Sequence, residues 1–195
     1  MPRRVTGFDF SAAMTALCVD LCDCIDELAH IDMDRALVCV AQARRRTAYG
    51  VMAKLTPLRF EQGERVGERN GRWYRCQSVE HDGREMLYLV TFYLPRFQDQ
   101  TPREKLITVV HELYHISPAF DGDIRRFAGR CHAHTGSQKN YDRHMAVLCD
   151  QYLATDPDPS LRAFLDLDAD GLAARHGGIT GLKVAIPKLI PVNER

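Results

Sequence analysis

Apolar residues recur at three- and four-residue steps through Leu106, Val109, Val110 and Leu113, which predicts a helix from Pro102 to Ile116 with one side to bury. Its ends are written in the sequence. Thr101 can cap, Pro102 suits a first turn, and Glu104 completes a T-x-x-E capping box. Ser117-Pro118 stops the helix, because the residue before a proline is pushed out of the α region.

The same pattern organises the flanks. From about Ser11 to Val40 the chain reads as helical, with a stripe at Ala12, Leu17, Leu21, Ile25 and Leu28, and Asp32-Met33-Asp34 restarts a second helical or extended segment. Tyr49 to Phe60 reads as extended, with Pro57 allowed at an edge or bulge. Trp73 to Val79 and Met86 to Leu94 are strand candidates, and Asp82-Gly83 between them is a hairpin signal. Ser137 to Leu153 predicts a helix with Tyr141, Met145, Leu148 and Tyr152 on one side. After the break at Asp156 to Pro159 comes a short amphipathic piece, Ser160 to Leu167, then a polar helix near Asp170 to Arg175. The expected fold is α+β: a small antiparallel sheet packed on the 102–116 helix, flanked by N- and C-terminal helices. Residues 1–178 are expected to form one domain and 179–195 an extended tail.

Composition narrows the function classes. Lys plus Arg and Asp plus Glu both number 26, so the formal charge is zero and no dominant polyanion surface is expected. Nucleic acid is therefore not an expected partner, and Arg44-Arg45-Arg46 reads as a solvated end of an element. Seven cysteines without regular spacing point to reduced thiols in a cytoplasm. Met1 to Val5 does not read as a signal peptide, and no apolar run is long enough to span a membrane. Cys18, Cys22 and Cys24 could supply thiolates to a metal, but Cys18 and Cys22 share the stripe with Leu21 and Ile25, which points to core packing. His30 reads as a structural histidine.

The candidate chemistry lies on the predicted 102–116 helix. His111 and His115, four apart, share one face, and Glu112 stands beside the first, placed to reach a water on an ion rather than the ion itself. This is the HExxH arrangement of zinc hydrolases. A catalytic zinc usually takes three protein ligands and a water. No glutamate lies between Glu112 and Glu194, and Pro118 and Asp121 stand where the H-x-x-G-x-x-H extension needs Gly and His. Asp121, Asp123, Cys131, His132, His134 and His144 remain. His134, in a turn-like His-Thr-Gly-Ser before a helix, is favoured, then His144 and His132, with the aspartates last. Tyr141, His144 and Tyr114, in that order, are candidates to steady an oxyanion. Asp121, Asp123 and Asp142 could orient the imidazoles.

Tyr93, the run His111-Glu-Leu-Tyr-His-Ile-Ser-Pro118, and His134-Thr-Gly-Ser-Gln-Lys-Asn-Tyr141-Asp-Arg-His-Met145 together resemble the phage-type metallopeptidases, small zincins of phages and bacteria. More distantly they are similar to SprT-like and WLM proteases. The resemblance covers about Met86 to Met145. It implies a zincin-like fold, zinc held by His111, His115 and His134, and Glu112 as general base. The gap from His115 to His134 is longer than in many SprT-like members. The function so implied is a zinc-dependent metallopeptidase acting on a peptide or protein through a zinc-activated water. Two alternatives stand beside it. One is a zinc hydrolase of a non-peptide amide, although Cys76 lies in Arg-Cys-Gln and not in the Gly-Cys-Leu of deformylase-like enzymes. The other is a non-proteolytic zinc-binding module, which would have no use for Glu112.

Overall fold

The computed structural model describes residues 7–126 and 138–192. Strand β1 (Phe8–Asp9) leads into helix α1 (Phe10–Cys24), whose N-cap Asp9 accepts the Ala12 amide at 3.0 Å. The buried stripe of α1 is Phe10, Met14, Leu17, Cys18, Leu21 and Cys22. Ala12 is exposed, and Ile25 is the C-cap, so the helix ends well before Val40. The rest of that stretch becomes a 3₁₀ turn, Asp26–Leu28, and strand β2 (Ala36–Gln42). The Ala-Leu-Val-Cys-Val-Ala run of β2 is apolar on both faces, and periodicity cannot separate such a strand from a buried helix.

β3 (Ala53–Pro57) follows, then β4 (Val66–Arg69) and β5 (Arg72–Cys76), the two-residue β6 (Glu80–His81) and β7 (Arg84–Glu85), and β8 (Tyr88–Leu94). The expected hairpin between 73–79 and 86–94 does not form. Asp82-Gly83 turns only β6 into β7, while β5 and β8 belong to different sheets. β8 is instead the centre of a sheet ordered β2-β8-β3, parallel to β2 and antiparallel to β3. The sheet that carries the core is thus mixed rather than antiparallel. A parallel partner needs a long crossover connection, and no local turn signal announces one.

Helix α2 (Pro102–Tyr114) begins as expected. Thr101 and Glu104 exchange both bonds of a capping box. Leu106, Val109, Val110 and Leu113 are at most 4% exposed, the side predicted to bury; each such side chain contributes about 1.5–3 kcal/mol. α1 and α2 cover one face of the central sheet, where Tyr88, Val90 and Phe92 of β8 join the main core. On the other face Cys39, Leu58, Met86 and Leu89 form a second cluster under Leu182 and Val184. The last helices are α3 (Gln138–Ala154), with Tyr141, Met145, Leu148 and Tyr152 buried, and α4 (Ala169–His176), with two 3₁₀ turns between them. β9 (Ile179–Thr180) pairs in parallel with β1, and β10 (Leu189–Pro191) pairs antiparallel with β5. Among the described residues no helix is long and apolar enough to cross a membrane.

Candidate metal and catalytic site

His111 of α2 and His115, the C-cap of that helix, are both half-buried and come together. His111 Nε2 and His115 Nε2 lie 2.8 Å apart, with ring centroids at 4.6 Å. In a tetrahedral zinc site with Zn–N near 2.0–2.1 Å, two ligand nitrogens stand about 3.3 Å apart. Opening the pair by about half an ångström would therefore admit an ion. Both donors are imidazoles, which suits zinc. The residues present fit the metal.

Glu112, the next residue after His111, is buried. It is 9% exposed, and its Oε2 accepts the backbone amide of Leu55 on β3 at 2.6 Å. Burial pushes its carboxyl up to about 7, against the opposing pull of the Leu55 amide and the Lys54 charge. A carboxyl of that kind can carry or release a proton near neutrality.

Tyr141 of α3 packs on both histidines. Its ring centroid is 5.0 Å from that of His111, edge-on, and 5.8 Å from that of His115, nearly parallel. Burial raises its phenol well above the ordinary value, so it is a neutral hydroxyl. Tyr114 stands edge-on to Tyr141 at 5.9 Å.

The other candidates lie elsewhere or are engaged. His144 Nε2 lies 3.0 Å from Glu27 Oε2, and its ring packs against Tyr114 at 5.3 Å. Both carboxylate oxygens of Asp123 are bonded by Arg126, with the Gln62 and Ile124 amides adding to them. Asp121 accepts the Asp123 amide. These two carboxylates order the loop after α2. His132, His134 and Cys131 fall outside the described residues. Among the described residues no group of three or more His, Cys, Asp or Glu forms a metal site. Cys18 and Cys22 belong to the main core, and burial pushes Cys22 up to about 12 and Cys18 upward as well. Cys76 sits on β5, in a different sheet from the one under α2. Of the basic run, Arg46 bridges Asp99 at 2.7 Å and Asp170 at 2.8 Å.

Three participants were not legible in the sequence. The Leu55 amide is backbone and leaves no side-chain signature. Glu27 and Arg125 stand around Tyr114, and neither belongs to the HExxH spacing: the Arg125 guanidinium carbon lies 4.1 Å from the Tyr114 ring centroid. Comparison with curated proteins and with solved structures finds no match. The family model described as "Putative phage metallopeptidase" matches residues 11–143, from the start of α1 into α3, and the chain belongs to that family.

Proposed function

We propose that this metallopeptidase is zinc-dependent and zincin-like, with His111, His115 and His134 holding the metal, Glu112 as general base and Tyr141 as a donor to the developing oxyanion. The observation that carries the reading is the pair of imidazole nitrogens converging from one helix face, 2.8 Å apart, beside a buried carboxyl. His134 enters by chain length. It is four residues before Gln138, the first residue of α3, a span of at most about 14 Å. Tyr141, one turn further on, packs on both histidines.

Zinc, when bound, supplies a Lewis acid that brings the pKa of water down to about 7. The chain's own residues do the rest. With Oε2 tied to the Leu55 amide, Glu112 has a fixed direction and keeps its second oxygen for a proton. It takes that proton from water and returns it to the leaving amine. The phenol of Tyr141, held neutral by burial, donates to the carbonyl oxygen as charge builds on it. β3 is an edge strand of its sheet, and the Leu55 amide that meets Glu112 turns away from β8. An extended peptide suits such an edge, which favours peptide or protein substrates.

Metal analysis tests the reading. Purified wild type should hold one zinc per chain, and His111→Ala, His115→Ala and His134→Ala should each lose it. Stoichiometric zinc in both His111→Ala and His115→Ala would place the metal elsewhere and end the proposal.

A further inference from the structure

His115 does not lie inside the helix that carries His111. The last residue of α2 is Tyr114, and His115 is its C-cap, at φ −70° and ψ −13°. Carbonyls in a last helical turn have no donors within the helix. The backbone at this position, and with it the Cα–Cβ vector of His115, is therefore held by whatever closes the end. Arg125 closes it. The Arg125 amide donates to the His115 carbonyl at 2.7 Å, and its Nε donates to the Tyr114 carbonyl, also at 2.7 Å. A terminal guanidinium nitrogen donates to the Glu27 carbonyl at 3.4 Å. The charge also sits at the negative end of the helix dipole.

The same guanidinium covers the Tyr114 ring, and behind it lies a second layer. Burial, with the nearby Glu27 carboxylate adding to it, pushes the Tyr114 phenol up, and that carboxylate also meets His144. Tyr114 in turn packs on Tyr141, the ring stacked against His115. One side chain thus ties together the last turn of α2, the 3₁₀ turn at Asp26–Leu28, and the rings beside the second histidine. The planar fork explains why arginine stands here: it donates to two carbonyls in a fixed geometry while its face lies on a ring, which an ammonium cannot reproduce.

We infer that Arg125 is a positioning residue of the site, fixing the direction of the His115 imidazole towards His111 and so setting metal affinity. The inference rests on His111 and His115 being metal ligands. The test titrates the metal-free protein with Co²⁺, follows the visible bands of the ion, and then displaces it with zinc. Wild type, Arg125→Met, Arg125→Lys and a control, Arg103→Met, are compared, with thermal unfolding of each metal-free protein measured alongside. Arg103 pairs with Asp150 at the exposed start of α2.

Arg125→Met should weaken metal binding about 10–100-fold, the usual effect of losing a residue that orients a ligand. Arg125→Lys should bind several-fold more weakly than wild type, with altered cobalt band intensities and an unchanged melting temperature. Arg103→Met should bind as wild type does. Should Arg125→Met fail to fold, Arg125→Lys carries the test. Wild-type affinity and an unaltered cobalt spectrum in Arg125→Lys would overturn the inference while leaving the metal site intact. A wild-type protein that binds neither ion would overturn both the reading of the site and this inference.

Discussion

The carboxylate of Glu112 accepts the amide hydrogen of Leu55 at 2.6 Å, a bond from α2 to the edge strand β3. It gives Glu112 a structural duty that substitution can separate from the proposed base role. Glu112→Gln keeps an acceptor for the Leu55 amide but removes the proton-taking oxygen, so casein cleavage should fall about 10²–10⁴-fold with metal content and melting temperature unchanged. Glu112→Ala should in addition lose about 1–3 kcal/mol, because a buried amide is left without a partner. Urea unfolding of the two variants separates the effects, and equal cleavage by wild type and Glu112→Gln would refute the base.

The loop after α2 is held from below by one phenol. Tyr88, fully buried on β8, donates to the Asp123 carbonyl and accepts the Gly122 amide, each at 2.9 Å. Tyr88→Phe fills the same space but orphans both backbone groups. It should cost about 1–3 kcal/mol in urea unfolding. Because this loop leads to Arg125, metal affinity should fall as well; an unchanged unfolding midpoint would show that water replaces the hydroxyl without loss.

What the sequence made legible follows the range of each signal. The capping box of Thr101 and Glu104 and the buried side of α2 are set within one helix, where spacing dictates geometry, and His115, one residue past its end, keeps αR backbone and so still faces His111. α3 was legible for the same reason. The central sheet was not. Met86 to Leu94 announced a strand, but Asp82-Gly83 closes only a two-residue ribbon, and the true neighbours, β2 and β3, lie 50 and 35 or so positions away in register, as with Val38 and Val90 or Leu55 and Val90. Pairing at that range is decided by which faces become buried, and here both faces of the sheet are covered, so alternation disappears. Arg125 has no sequence signal because its contacts depend on where α2 stops. The helix was expected to run to Ile116, and with that boundary His115 would need no outside support.

Lys105 is a buried cation on α2, 1% exposed, with Nζ donating to the carbonyls of Leu165 and Leu167 at 2.8 and 2.6 Å. Burial lowers its pKa, partly offset by Asp168, Asp99 and Asp166. Lys105→Met should destabilise by about 1–3 kcal/mol through the orphaned carbonyls. The sign of the pH effect follows from the lowered value. Between the folded pKa and the ordinary lysine value near 10.4, the unfolded chain binds more protons than the folded one, so stability from this group rises with pH. The neutral amine still donates two hydrogens. Urea midpoints at pH 8 and pH 10 should therefore show the advantage of wild type over Lys105→Met growing with pH; a constant difference would mean that Lys105 titrates normally.

Tyr141 offers the sharpest division between packing and chemistry. Its ring is 2% exposed and lies against His111 and His115, so some effect of Tyr141→Ala is certain on packing grounds, about 3–5 kcal/mol for a large buried ring. That variant alone says nothing about catalysis. Tyr141→Phe keeps the ring and its stacking and removes only the hydroxyl. As a donor to a developing oxyanion, that hydroxyl acts in the transition state and not on bound substrate. Its loss should lower kcat about 10²–10³-fold, with KM, zinc content and melting temperature close to wild type. A fall confined to KM would make Tyr141 a substrate contact. Wild-type kcat in Tyr141→Phe would leave the ring as a wall of the histidine pair and pass the donor role to His144 or Tyr114. Of these, His144 lies 3.0 Å from the Glu27 carboxylate, so Glu27→Gln combined with Tyr141→Phe would then show whether releasing it restores any rate.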